Sequence, residues 1–120
     1  MTASPLVKID QMTRDGEGYV ARGYRWATND LIEAAKRCKP FSMPLAGIDM
    51  SGMPWNITCY EDILWHIKRV NETSLEHPII LDHYGCIANG WHRIAKAVLE
   101  GKRTIMAVRL EEMPRSEEVK

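Results

Sequence analysis

Apolar and polar positions change rhythm along the chain, and each change marks an element. Between His77 and Leu110 (HPIILDHYGCIANGWHRIAKAVLEGKRTIMAVRL) the apolar run from Pro78 to Asp82 predicts a short buried strand. His83-Tyr84-Gly85 then predicts a tight turn, and Cys86 to Ala88 a second short strand. Next the period lengthens. Trp91, Ile94, Ala95, Val98 and Leu99 recur at i, i+3, i+4, i+7 and i+8, one face of a helix, with His92, Arg93, Lys96 and Glu100 opposite. Gly101 suits a left-handed helix stop, and Lys102 and Arg103 follow at the negative end of the helix dipole. Thr104 to Leu110 predicts a closing strand.

Upstream, Leu6 to Met12 alternates as a strand does, and Thr13 to Glu17 predicts a turn. Thr28 or Asn29 caps a helix running to about Cys38, apolar at Leu31, Ala34, Ala35 and Cys38 and stopped by Pro40. Phe41 to Asp49 is strand-like, confined by Pro44 and Gly47 to an edge or a bulge. Met50 to Ile57 predicts a loop. Thr58-Cys59-Tyr60-Glu61 matches a capping box and opens a helix to about Val70. Its predicted buried face is Ile63, Leu64, Ile67 and Val70, with Trp65, His66, Lys68 and Arg69 turned outward. Residues 113–120, with Pro114 and high charge, predict a mobile tail, leaving 1–112 as a single domain. The order strand, helix, strand, helix, strand, strand, helix, strand predicts an α+β fold: a small mixed β-sheet with three helices.

Composition narrows the role. With 120 residues, 45% hydrophobic and 27% charged, the chain can bury one core. Lys plus Arg equals Asp plus Glu at 16 each, so no global basic field drives nucleic-acid binding, and any such role needs a local patch. Three dispersed cysteines without paired C-x-x-C spacing argue against a zinc site or disulfide framework and predict a cytoplasmic protein. No stretch approaches the roughly 18 apolar residues of a membrane span.

The strongest chemical signal is the strand-to-helix junction. Asn89 can cap the free N–H groups, Gly90 leaves them open to a ligand, and a helix N-terminus favours negative charge. His92 and Arg93 add donors, so Asn89, Gly90, His92 and Arg93 are the expected phosphate-binding residues. Asp82 and His83, folded back toward this junction by the turn, would join His92 as catalytic groups for metal-assisted hydrolysis or transfer; in the other reading, Asp82 accepts backbone N–H bonds in its own turn. A nucleotide and Mg²⁺ are the cofactor candidates, with no dedicated protein metal site. From Gly18 to Trp26 arginines interleave with aromatics, and Arg22, Tyr24 and Arg25 could hold nucleic acid; alternatively the rings pack on the core. Met53, Trp55 and Trp65 could form an adaptable contact surface for a protein partner, or Met50, Met53 and Trp55 could roof the core.

The segment Ile87-Ala88-Asn89-Gly90-Trp91-His92-Arg93-Ile94-Ala95-Lys96-Ala97, with an apolar strand and turn before it and Gly101-x-x-Thr104-Ile105-x-x-Val108 after it, resembles the core of the ParB/sulfiredoxin superfamily. The resemblance covers about a third of the chain. It implies a ParB/sulfiredoxin-like fold in which this junction holds the phosphates of a nucleotide or serves nuclease-like or phosphoryl-transfer chemistry, in a plasmid- or phage-associated protein. Sulfiredoxins carry their catalytic Cys, and CTP-hydrolysing partition proteins an acidic residue, where this chain has Trp91. Gly90, His92 and Arg93 keep the pattern. Two functions follow as expectations: binding of a nucleotide or nucleic-acid phosphate at Asn89 to Arg93, or a catalytically inactive interaction or inhibitory module using Trp55, Trp65 and the Met-rich loop.

Overall fold

The computed structural model describes residues 18–119. The expected strand at Leu6 to Met12 and the turn after it lie outside the described residues. Strands β1 (Gly18–Ala21) and β2 (Tyr24–Ala27) form a hairpin, followed by α1 (Thr28–Ala35), β3 (Phe41–Pro44) and a short 3₁₀ turn. Then come α2 (Tyr60–Glu72), β4 (Ile79–Leu81), β5 (Ile87–Asn89), α3 (Trp91–Leu99), β6 (Thr104–Arg109) and β7 (Glu117–Glu118). The α+β class and the three helices agree with expectation. The strands divide into two sheets, ordered β1-β2-β7 and β3-β6-β4-β5.

β4 lies inside the larger sheet, antiparallel to β5 and parallel to β6, so the chain crosses through α3 between the two parallel strands. Its three residues are all buried, as an apolar run inside a covered sheet should be. Ile79 and Leu81 face a core cluster with Ile94 and Ala97 of α3, while Ile80 faces Trp26 and Leu31 on the opposite side. Trp91 packs against the first cluster. β3, ending in Pro44, takes the edge, where a residue without an N–H costs no ladder bond.

Four expectations change. The Gly18 to Trp26 tract is a hairpin, not a loop, closed by Arg22 and Gly23, both at positive φ (52° and 82°) as a two-residue turn of this hand requires. The charged tail belongs to the fold: β7 pairs with β2, and the Trp26 indole donates to the Pro114 carbonyl at 2.9 Å. Helix α2 is rotated from its predicted face. It buries His66 and Val70 and leaves Ile63 and Ile67 exposed, because Trp55 covers the α2–α3 contact in place of aliphatic side chains. On α3, Val98 and Leu99 are likewise exposed, and Ala97 takes the buried place beside Ile94.

Gly90 caps α3 with φ at 119°, and a Cβ there would stand 2.5 Å from Ile79 Cγ2. Its small size serves the contact with β4 rather than the approach of a ligand. Gly101, also at positive φ (75°), faces open space. Gly101→Ala is therefore expected to cost about 1–2 kcal/mol for the left-handed conformation alone, and Gly90→Ala a further 1–3 kcal/mol, roughly, for overpacking. Urea unfolding of the two variants checks that order.

Candidate anion-binding site

The hairpin of β4 and β5 has two ends, and the chemistry of the chain is divided between them. At one end the Asp82 N–H donates to Cys86 O and closes the turn; at the other, Asn89 pairs with Ile80 and leads through Gly90 into α3. Asp82 and His83 thus lie at the end away from the Asn89 to Arg93 junction. Neither lines the cavity there, so the expected grouping of Asp82, His83 and His92 is not formed.

Asp82 is fully buried and accepts at both oxygens. Oδ1 takes the N–H groups of Tyr84 and Cys86, each at 2.9 Å, which is the turn role weighed as its alternative. Oδ2 takes the Tyr19 hydroxyl at 2.9 Å and Arg22 Nη2 at 3.0 Å. Burial alone would raise this carboxyl, but the bonds from Cys86, Arg22, Tyr19 and Tyr84 outweigh it and hold the pKa below the ordinary value. The same carboxylate, together with burial as the larger cause, pushes the Tyr19 phenol up to about 12. Arg22 also lies over the Tyr84 ring at 4.4 Å, so its left-handed backbone is tied to the core from two sides. Arg22 is committed to this contact and Arg25 is half-buried, while Tyr24 is exposed; Arg22 and Tyr24 border a separate cleft with His83 and Tyr84. The nucleic-acid tract and the junction do not merge.

At the junction lies a cavity of about 740 Å³ between α1, the end of α2 and the start of α3. Ile32, Ala35, Ile80 and Val108 contribute apolar lining, and Lys36, Arg69, His92 and Arg93 contribute nitrogen donors. Trp91 does not line it. Arg93 reaches back across the junction: Nη1 donates to the carbonyls of His77 (3.0 Å) and Pro78 (2.9 Å), and Nη2 to Asn89 Oδ1 (2.9 Å). Asn89 therefore orients Arg93 and does not cap the helix, which has no side-chain cap. Of the five N–H donors of a guanidinium, three are used, and no carboxylate among the described residues pairs with it. Burial is the cause that pulls its pKa below the ordinary arginine value. Carbonyl dipoles hold this cation, and among the described residues no countercharge accompanies it.

His92 turns partly from the cavity toward α2. Its Nε2 lies 2.8 Å from Nδ1 of the buried His66, so one ring donates and the other accepts. The Trp55 indole stacks on both imidazoles, at centroid distances of 4.4 and 4.7 Å, and Trp65 meets His66 edge-on. Trp55 and Trp65, both half-buried, are thus engaged with the histidine pair and are not a free contact surface; Met53 is exposed. Of the roof expected from Met50, Met53 and Trp55, only Trp55 covers anything, the histidine pair, while Met50 and Met53 are exposed. The role of His66 was not foreseen, since it falls on the polar side of the α2 periodicity. Lys36 and Arg69 were likewise overlooked, because only the topology brings α1 and the end of α2 to the junction.

Among the described residues no carboxylate lines the cavity, so this donor set does not suit Mg²⁺, which takes oxygen ligands and is commonly held by carboxylates. Among the described residues no group of three or more His, Cys, Asp or Glu could hold a metal ion.

Because the Asp82 pKa is lower folded than unfolded, its ionised form stabilises the fold above the ordinary carboxylate value of 3.8; that contribution is lost as pH falls from there through the folded value. Asp82→Asn is expected to cost about 2–3 kcal/mol at neutral pH, by weakening charge-assisted bonds, and to flatten the acid limb of stability against pH. Denaturant melts between neutral and acid pH check both.

No family model, curated protein or solved structure matches the chain. A role for the site therefore rests on its own geometry.

Proposed function

We propose that the chain binds a phosphate-bearing ligand, a nucleotide or a nucleic-acid phosphate, in the cavity at the start of α3. One observation carries this reading: Arg93 is a half-buried cation held by carbonyl and amide oxygens, with no carboxylate partner among the described residues, at the wall of a nucleotide-sized cavity. A partly desolvated charge held only by neutral oxygens is costly, and an anion entering the cavity would relieve that cost. Lys36 and Arg69 supply further positive charge, and the N-terminus of α3 adds its dipole. The apolar wall suits the flat body of a nucleobase. The resemblance of Ile87 to Ala97 to the ParB/sulfiredoxin junction points to the same ligand class. Metal-assisted phosphoryl chemistry gains no support, since the carboxylate and imidazole expected to drive it lie at the other end of the hairpin. The proposal is binding without turnover.

A thermal-shift panel of nucleoside mono- and triphosphates and short oligonucleotides, each with Mg²⁺ and with chelator, tests the reading. A ligand at a hundred times its dissociation constant should add about 2.7 kcal/mol of stability, in either metal condition. Arg93→Met should remove the gain, and the exposed Lys36→Ala should weaken binding about tenfold, the size of one charge-assisted contact, without lowering unliganded stability. The proposal fails if no phosphate compound shifts the wild type, or if the shift survives Arg93→Met in a protein that still folds.

A further inference from the structure

Helices α2 and α3 meet through a hydrogen bond whose existence depends on how many protons it holds. His66 is buried, only 4% exposed, and its Nδ1 lies 2.8 Å from Nε2 of His92. Trp55 lies flat against both imidazoles, at interplanar angles of 10° and 13°, and Trp65 stands edge-on to His66 at 88°. In the neutral pair one facing nitrogen carries a hydrogen and the other offers a lone pair. One further proton fits. The donor ring becomes an imidazolium, its N–H still points at the neutral partner, and the bond becomes charge-assisted. The indole face of Trp55 stabilises that cation. A second proton does not fit, because it would set an N–H on each facing nitrogen of two like-charged rings, 2.8 Å apart.

The charged groups around the pair, among the described residues, also admit one positive charge more readily than two. On α2, Asp62 stands one turn before His66 and Arg69 one turn after it. On α3, Arg93 follows His92 and Lys96 lies a turn further on. The Asp62 carboxylate accepts from Thr58, and the Lys96 ammonium is fixed on the carbonyls of Asn71 and Thr73, at 3.2 and 2.6 Å. Lys36 and His77 border the cavity that His92 lines. The loop bearing Trp55, residues 50–58, carries no charged or titratable side chain. One carboxylate thus stands against Lys36, Arg69, Arg93 and Lys96, and a second added proton meets repulsion from these cations as well as from the first.

We infer that the His66–His92 pair is a proton-operated latch between α2 and α3, which stays shut with one added proton and opens with two. The latch does not depend on what the cavity holds, although His92 lines that cavity and opening would loosen its wall. In the unfolded chain the two imidazoles are independent, and both are protonated below the ordinary histidine value of about 6.5. The latched fold takes up only one proton. The unfolded state therefore binds more protons there, and the folding constant falls with pH by about tenfold per unit at most. Asp82 loses its own contribution lower, from 3.8 down.

A histidine ¹⁵N NMR titration of the full chain from about pH 8 to 4, with urea melts across the same range, tests this. In the wild type the pair should take up one proton with the contacts of Trp55 to both rings intact, and a second only as those contacts are lost. The melts should show the folding constant falling about tenfold per pH unit at the acid end. His92→Gln keeps a donor and an acceptor but cannot titrate, so it should flatten that fall, while Asp82, His77 and His83 are common to both proteins. A pair that takes up no proton, or both with Trp55 still stacked, overturns the inference, as does an acid limb equally steep in His92→Gln. The NMR titration needs no variant and decides alone should His92→Gln fold poorly.

Discussion

The close approach of Gly90 to Ile79 governs the arrangement of everything at the junction. A strand buried on both faces leaves little room beside it, and the backbone of Gly90 enters a space that a single methyl group would fill. The contact pins the first turn of α3 against the beginning of β4. It also brings Arg93, one turn along, within reach of the free carbonyls of His77 and Pro78. The positive φ that accompanies it turns the chain from β5 into the helix without a side-chain cap. Without that turn α3 would start elsewhere, and neither the cavity nor the tether across it would form.

Two arginines show how the fold handles positive charge. Arg22 is exposed at its tip and meets Asp82, a carboxylate satisfied by four donors. That arrangement is closed: each charge has its partner, and the hairpin of the smaller sheet is fastened to the larger one. Arg93 is more deeply buried, yet among the described residues it rests only on neutral oxygens. Its charge is oriented but not neutralised. Closed arrangements of the first kind hold structure together, whereas open ones of the second kind leave an attraction to be satisfied from outside. The contrast, on opposite ends of one hairpin, separates structural from ligand-directed electrostatics in this chain.

The histidine pair adds a link between elements. His66 of α2 and His92 of α3 share a hydrogen bond beneath Trp55, so the two helices meet through polar rings under an aromatic cover. Of the aliphatic residues that periodicity places in that contact, Val70 is buried while Ile63 and Ile67 stay exposed beside it. One local substitution of aromatic and imidazole packing for aliphatic packing therefore both completes the cavity wall at His92 and leaves Ile63 and Ile67 exposed along the α2–α3 groove.

Local patterns in the chain were enough to determine the α+β class, the β4–turn–β5–α3–β6 unit with its glycines, and the edge position of β3, because each depends on interactions between near neighbours. Gly90 was readable as a position that needs a small residue, but the reason for it, contact with Ile79 instead of ligand approach, came from the packing of α3 on β4. What periodicity could not decide was which face of α2 turns inward, for that choice was made by Trp55, a loop residue remote along the chain from His92. Nor could it place Asp82 and His83 relative to the junction, because a hairpin separates its turn from its open end only once the strands are paired. Tertiary structure alone joined Asp82 to Tyr19 and Arg22, across about half the chain, and brought Lys36 and Arg69 to the cavity beside Arg93. Those contacts depend on how the layers stack, and no local pattern encodes that.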